Sequence, residues 1–284
     1  MNGDLARDMK GIRRGIGSGA RLAAAAFLAA CAASPASRVP YPEFVQAEEL
    51  EAAFTAALPG TRAKPLYVDG RHGVSSLLLT LPADWSWNAG GAPGKSVEIY
   101  VLEGELLLGD LTLQPGNYAY LPPGSTALPM NTESGAQLLY FLDDADRQAV
   151  IRTPLFMSRE VVPWQPLADG DGMQRKVLRS DPGSGATTAL LKLEPGARGR
   201  LHASSVTTEG FLLSGDHRVS VCVEGSTVTG EYAPGGYFRR PAGAVTGGAE
   251  TVSESGAVWL VRQPARGART YYEACPAGGT PRRE

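Results

Sequence analysis

The chain has 284 residues, enough for one large domain or two small ones, with 43% hydrophobic and 20% charged residues, the balance of a soluble globular protein. Its formal net charge is −2 with the Lys and Arg residues scattered, which leaves no nucleic-acid footprint. Thirty-five glycines and 21 prolines punctuate short apolar runs, a turn-rich composition that excludes a helical bundle and predicts an all-β fold.

In chain order, residues 10–31, "KGIRRGIGSGARLAAAAFLAAC", carry Lys10, Arg13, Arg14 and Arg21 ahead of an apolar run from Leu22 to Ala30. This is the charged start and apolar core of an export signal. Nine uninterrupted apolar residues are too few to span a bilayer core. The segment ends in Leu28-Ala29-Ala30-Cys31, which resembles the bacterial lipobox; that resemblance implies an acylated Cys31 and an exported, periplasmic protein anchored to the membrane through it. A simple cleaved signal is the alternative. Acidic Asp4 and Asp8 suit an export start poorly, so Met9 competes with Met1 as the start. A linker and a short amphipathic helix near Ala47–Ala57 are expected within residues 32–63. An exported compartment permits a disulfide between Cys222 and Cys275; two separate thiols, with Cys222 buried in a strand, is the other reading.

From residue 64 onward one pattern is written twice. Residues 98–142 match residues 209–262: Glu98 with Glu209, Gly104 with Gly215, Pro115-Gly116 with Pro234-Gly235, Pro122-x-Gly124 with Pro241-x-Gly243, and Ser134-Gly135-Ala136 with Ser255-Gly256-Ala257. The second copy needs an insertion near "SVCVEGSTVTGE", as a longer hairpin would give. These glycines and prolines stand where turns need a fixed or positive φ.

The repeated pattern resembles the cupin superfamily. Its first motif is Gly, five residues, His-x-His, three or four residues, Glu, six residues, Gly; its second is Gly, five residues, Pro-x-Gly, two residues, His, three residues, Asn. Gly196 precedes His202 at that spacing, and Gly116 to Gly124 and Gly235 to Gly243 fit the start of the second motif. The phrase "GGYFRRPAG" is further similar to cupins of the anti-sigma-factor type, whose cytoplasmic role does not carry over to a chain that reads as exported. The resemblance implies two tandem double-stranded β-helix barrels, over 64–148 and 149–265, with a C-terminal tail over 266–284.

In metal-binding cupins the motifs supply three histidines and one glutamate to a divalent ion. Here the first copy has small residues in "NAGGAPG" at the His-x-His place and Ala127 at the second-motif histidine, with Glu98 a lone survivor and Asn131 at the asparagine place. One carboxylate does not hold a transition metal, so the first barrel is expected to be structural. His72, in "DGRHG", reads as an exposed turn residue. The second copy keeps His202 and Glu209 but has Ser204 and Thr246 in place of histidines. Residues 202 and 204 share a strand face, Glu209 is expected to reach the same interior, and Phe211 and Leu213 share its parity. His217 lies beyond the turn at Gly215, where no parity argument survives. Swapping two imidazoles for hydroxyls weakens a metal site severely, so no cofactor is expected, a divalent ion on His202 and Glu209 being the alternative.

His202, Ser204, Glu209 and Thr246 are instead the candidate lining of a pocket for a small molecule. Alternation puts Arg239 and Arg240 on opposite faces, so at most one meets that pocket, where it would suit a carboxylate; a solvated strand edge is the ordinary fate of such residues. Tyr118, Tyr120 and Tyr237 read as packing residues. Three functions stay open: a ligand-binding module, an oxygenase- or isomerase-type enzyme using an atypical metal site, and a structural or partner-binding protein.

Overall fold

The computed structural model describes residues 44–55, 58–90, 92–125, 128–167 and 170–277. The export segment, Cys31, the start at Met1 or Met9, most of the linker, Ala127 and part of "NAGGAPG" lie outside them. Alternating apolar and polar residues between glycine and proline turns build strands throughout, and all the sheet pairings are antiparallel.

Each copy forms a large and a small sheet. In the first, seven strands run in the order Leu155–Ser158, Asn117–Leu121, Lys95–Gly104, Ala136–Asp144, Val74–Leu81, Arg62–Asp69, Ala53–Phe54. Four short strands face them: Trp85–Trp87, Met130–Thr132, Leu106–Leu108 and Leu111–Leu113. In the second copy the seven-stranded order is Val45–Gln46, Gly236–Arg240, Thr208–Gly215, Ala257–Gln263, Thr187–Gly199, Gly170–Ser180, Gln165–Pro166. Five strands complete it: Ser226–Tyr232, His217–Val223, Val245–Thr246, His202–Ser204 and Arg269–Tyr271.

The short helix expected near Ala47–Ala57 is not there. Val45–Gln46 is a strand, a single 3-10 turn follows at Ala47–Glu49, and Ala53–Phe54 is again a strand. Val45 pairs with Tyr237 and Gln46 with Gly236, so sheet pairing across the copies overrides the local helical pattern. The reciprocal pairing is also present: Leu155–Ser158, from the start of the second copy, joins Asn117–Leu121 of the first. Each barrel therefore borrows an edge strand from the other, which covers an otherwise open edge.

The two copies are built on the same register. Glu98 faces Phe141 and Tyr120 as Glu209 faces Arg262 and Arg239. Gly104 and Gly215 both hold positive φ, 71° and 84°. A Cβ on them would lie 2.1 Å from the Gly135 carbonyl oxygen and 1.8 Å from that of Gly256. Only glycine fits this crossing, which explains why both pairs recur in the repeat.

Alternation sorts the side chains into an inner and an outer face. Val97, Ile99, Val101, Leu106, Leu138 and Met130 fill the first barrel. Leu193, Leu212, Val219, Phe238 and Trp259 line the second. The outer faces of the two large sheets pack on each other through Leu66, Tyr100, Leu139, Leu190, Phe211 and Leu260, with buried apolar side chains each contributing roughly 1.5–3 kcal/mol. This interface, and not the barrel interior, also receives Glu98 and Glu209.

Candidate functional site

The strand His202–Ser204 lies between Val245–Thr246 and the edge strand Arg269–Tyr271 in the small sheet of the second barrel. His202 pairs directly with Thr246 on one side and Tyr271 on the other, and Ser204 pairs with Arg269. Directly opposed residues point to the same face, and all five side chains border one cavity of about 230 Å³. Ala203, between them, points outward onto Cys222 and Val245, where Cys222 and Cys275 form a disulfide. The apolar part of the lining includes Leu191, Leu193 and Phe238 of the large sheet and Val219 of the small one.

The polar lining is mostly engaged. His202 Nδ1 lies 2.9 Å from the Arg200 carbonyl oxygen. A carbonyl only accepts, so Nδ1 carries the proton in the neutral ring. Thr246 donates its hydroxyl to the Ser220 carbonyl at 3.0 Å. His217 reaches the same cavity from beyond the turn, a placement that alternation could not carry across Gly215. Its ring lies edge-on to Trp259, centroids 5.8 Å apart, and both ring nitrogens are buried without a hydrogen-bond partner. Burial, with help from the nearby Arg240 charge, pushes its pKa down to about 4, so the imidazole is neutral at neutral pH. Of the arginine pair, Arg240 borders the cavity and stacks on Phe238 at 3.7 Å. Neither arginine is a solvated edge residue, because Arg239 stacks on Tyr67 of the first barrel at 3.9 Å.

Glu209 does not join this group. Gly210 and Leu212 are the inward residues of Thr208–Gly215, so Glu209 and Phe211 point out of the barrel into the interface. There Glu209 is buried and accepts from the Ser76 hydroxyl of the first barrel and the Tyr237 hydroxyl, both at 2.7 Å, and from Arg262. The expected His202–Glu209 pair is thus separated by strand parity: five residues, where the motif has six, stand between Glu209 and Gly215, and the glutamate takes the outer face. Phe211 likewise packs in the interface and does not fill the cavity.

Glu98 mirrors Glu209. It accepts from the Tyr118 hydroxyl at 2.5 Å, from the Thr188 hydroxyl of the second barrel, and from Arg179 and Arg262 at 3.1 and 2.8 Å. Arg262 also bonds Asp143. By register Ser76 and Thr188 are equivalent, as are Tyr118 and Tyr237, so each glutamate takes a tyrosine from its own barrel and a hydroxyl from the other. The cation–aromatic pairs are equivalent with identities exchanged: Arg179 stacks on Tyr120 at 3.8 Å, and Arg239 on Tyr67. Arg262 and its counterpart Phe141 meet near the centre, 4.0 Å apart. Tyr118 and Tyr237, read as packing residues, are therefore also hydrogen-bond donors to buried carboxylates. Three carboxylates and three guanidiniums balance here, as buried charge requires.

Burial alone would raise the pKa of Glu98, but Arg262 and Arg179 outweigh it and hold it down to about 2. A folded-state value below the usual carboxylate value contributes stability above about pH 4.5 that is lost as the pH falls through about 2. Asp143 runs the other way, its carboxyl pushed up by burial. The chain's unfolding midpoint should therefore drop between about pH 4.5 and 2, and the drop should shrink in Glu98→Gln. Equal acid slopes for the two proteins would contradict this.

In the first barrel, His72 is exposed and bonds Asp69 at 2.8 Å, and Asn131 alternates with the core residue Met130. Among the described residues no three His, Cys, Asp or Glu side chains gather where they could hold a metal ion. The second cavity offers His202 and His217 with hydroxyls, a poor set for a first-row divalent ion. The residues present do not fit the metal that the motif family binds.

Residues 153–265 match the ChrR cupin-like domain family. The match lies in the second barrel, and the fold is the cupin fold. Among solved structures, the cupin barrels are similar to the Ylba protein of E. coli, at 16% identity and a TM-score of 0.63, covering 82% of this chain and 95% of that one. A candidate dioxygenase from Nostoc punctiforme matches at 15% identity and 0.61, covering 81% and 86%. Bacillus subtilis oxalate decarboxylase matches at 15% and 0.54, covering 80% and 78%. At these identities the likeness is one of cupin fold alone. Among curated proteins, none matches the chain in sequence.

Proposed function

We propose that this cupin binds a small molecule in its second barrel, without a metal, and that the first barrel serves as a structural partner. The observation that carries this reading is the contrast between the two interiors. Apolar side chains fill the first. The second keeps a cavity of about 230 Å³ where His202, Ser204, His217 and Thr246 meet an apolar wall, the combination typical of ligand sites. An enzyme built on His202 with Glu209 is disfavoured, because the two residues lie on opposite faces of the barrel wall.

A ligand screen by thermal unfolding of the whole chain tests this. Compounds that fit the cavity should raise the midpoint, and Val219→Trp, which fills the cavity from its apolar wall, should abolish the shift. A shift that survives Val219→Trp would place binding elsewhere.

The same proposal locates the protein at the cell envelope, exported by residues 10–31 and anchored through an acylated Cys31. The Cys222–Cys275 disulfide suits an oxidising compartment. Among the described residues no helix is long and apolar enough to cross a membrane. Cell fractionation should find the chain with membranes and Cys31→Ala in the soluble fraction; an unchanged distribution would refute the anchor.

A further inference from the structure

We propose that the second barrel takes a small neutral molecule with an apolar body and a hydroxyl group, and that His217 is the residue that meets the hydroxyl. This rests on the reading of the cavity as a binding compartment.

His217 opens the strand His217–Val223, two residues before Val219. The two side chains therefore share a face, and both border the cavity. The His217 ring meets Trp259 edge-on, and Trp259 belongs with Leu193, Val219 and Phe238 to one apolar cluster. In these surroundings both ring nitrogens are buried without a hydrogen-bond partner. Among the described residues, Arg262 also borders the cavity with such an atom, its Nε. Its guanidinium, however, is turned to the interface carboxylates.

Neighbouring polar groups of the lining are committed to the main chain. Thr246 donates to the Ser220 carbonyl at 3.0 Å, and Thr251 accepts from the Ser220 N–H at 3.0 Å. Ser204 accepts from the Val206 N–H at 3.3 Å, and His202 Nδ1 lies against the Arg200 carbonyl. These bonds hold the barrel wall together. His217 makes none of its own, and an unpaired polar group in dry surroundings costs stability. A leucine would fill the same place without that cost. The barrel thus carries a hydrogen-bonding group that an occupant of the cavity can satisfy.

The state of the ring selects the group it meets. Its pKa is held down to about 4, chiefly by burial, so at neutral pH it offers one N–H and one lone pair. A carboxylate would have to leave its hydration shell to meet an uncharged ring. A carbonyl could use the N–H alone. A hydroxyl both donates and accepts, so it pairs with either nitrogen. Water has the same capacity but leaves Leu193, Val219 and Phe238 uncovered, whereas a hydroxyl carried on hydrocarbon satisfies the ring and covers the apolar lining.

Calorimetric titration of the whole chain with three probes tests the proposal: cyclohexanol, chlorocyclohexane (chlorine in the hydroxyl's place) and cyclohexanecarboxylate. The affinity for cyclohexanol relative to chlorocyclohexane should fall at least about tenfold in His217→Leu, a change of about 1.4 kcal/mol. Chlorocyclohexane should bind that variant at least as tightly as the native chain. His217→Gln, which keeps a donor and an acceptor, should retain part of the preference. The carboxylate should bind more weakly than cyclohexanol. Without any probe, His217→Leu should raise the unfolding midpoint, because it removes an unpaired polar group. A lowered midpoint would show the ring already satisfied in the empty barrel and would overturn the assignment. An affinity ratio unchanged in His217→Leu, with both probes lost in Val219→Trp, would overturn the role of His217 and leave the ligand-binding reading standing. Carboxylate binding as tight as cyclohexanol would overturn the neutral half of the proposal. Binding of none of the three would overturn this proposal and the reading beneath it together.

Discussion

Replacing Arg262 with methionine should destabilise the chain by about 3–5 kcal/mol in urea unfolding. Arg262 is 5% exposed and bonds three carboxylates: Glu98 of the first barrel, Asp143 beside it and Glu209 of its own sheet. Methionine matches much of its volume and stacks acceptably on Phe141, so the loss measures the charge and not a cavity. With the guanidinium gone, Glu98 keeps Arg179, whereas Glu209 is left with Arg239 at 3.7 Å. The barrel interface would then hold a surplus of negative charge in a dry region. Adding Glu209→Gln to Arg262→Met should restore part of the loss, because an amide can still meet the Ser76 and Tyr237 hydroxyls at lower desolvation cost. A loss of no more than about 1 kcal/mol, the range of an exposed pair, would show that water screens this network.

Reducing the Cys222–Cys275 disulfide should cost up to about 4 kcal/mol, the loop-closure value for a cross-link of this span, over a sequence separation of 53. It should also reach the cavity. The strand Arg269–Tyr271 pairs with His202–Ser204 over three residues only, and both Arg269 and Tyr271 border the cavity. The bridge at Cys275 ties this short strand to Cys222 on the sheet's outer face, so opening it frees one side of the mouth. Thermal unfolding with and without reductant, repeated on Cys222→Ser/Cys275→Ser, should show matching falls in midpoint. The thermal shift given by any cavity ligand should shrink in parallel. An unchanged midpoint in the double variant would contradict the structural weight assigned to the bridge.

Much of the fold could be read from the residues because turns and repeats leave unambiguous marks. Gly104 and Gly215 are irreplaceable at a backbone crossing, so their spacing to Glu98 and Glu209 survived in both copies and gave the repeat its register. What could not be read was which side of the sheet each face serves. Glu209 keeps the motif spacing from His202 but stands one residue nearer Gly215 than the motif has it, and the first spacing alone put it inside the barrel with His202. A large sheet buried on both faces has two apolar sides, and strand alternation does not say which is interior. Only the register of Thr208–Gly215 against Ala257–Gln263 decides it. The expected helix near Ala47–Ala57 failed for a related reason: Val45–Gln46 is fixed by a sheet edge on the other barrel, a contact invisible in the local pattern. His217, Arg240 and Arg269 reach the cavity from segments far apart in the chain, so no spacing signalled their convergence.

Metal content of the natively purified chain bears most directly on the central claim, that the second barrel is a ligand compartment without a metal. Elemental analysis should find manganese, iron, zinc and nickel well below one ion per chain, and His202→Ala should leave those values unchanged. One equivalent of any of them, lost in His202→Ala, would contradict it.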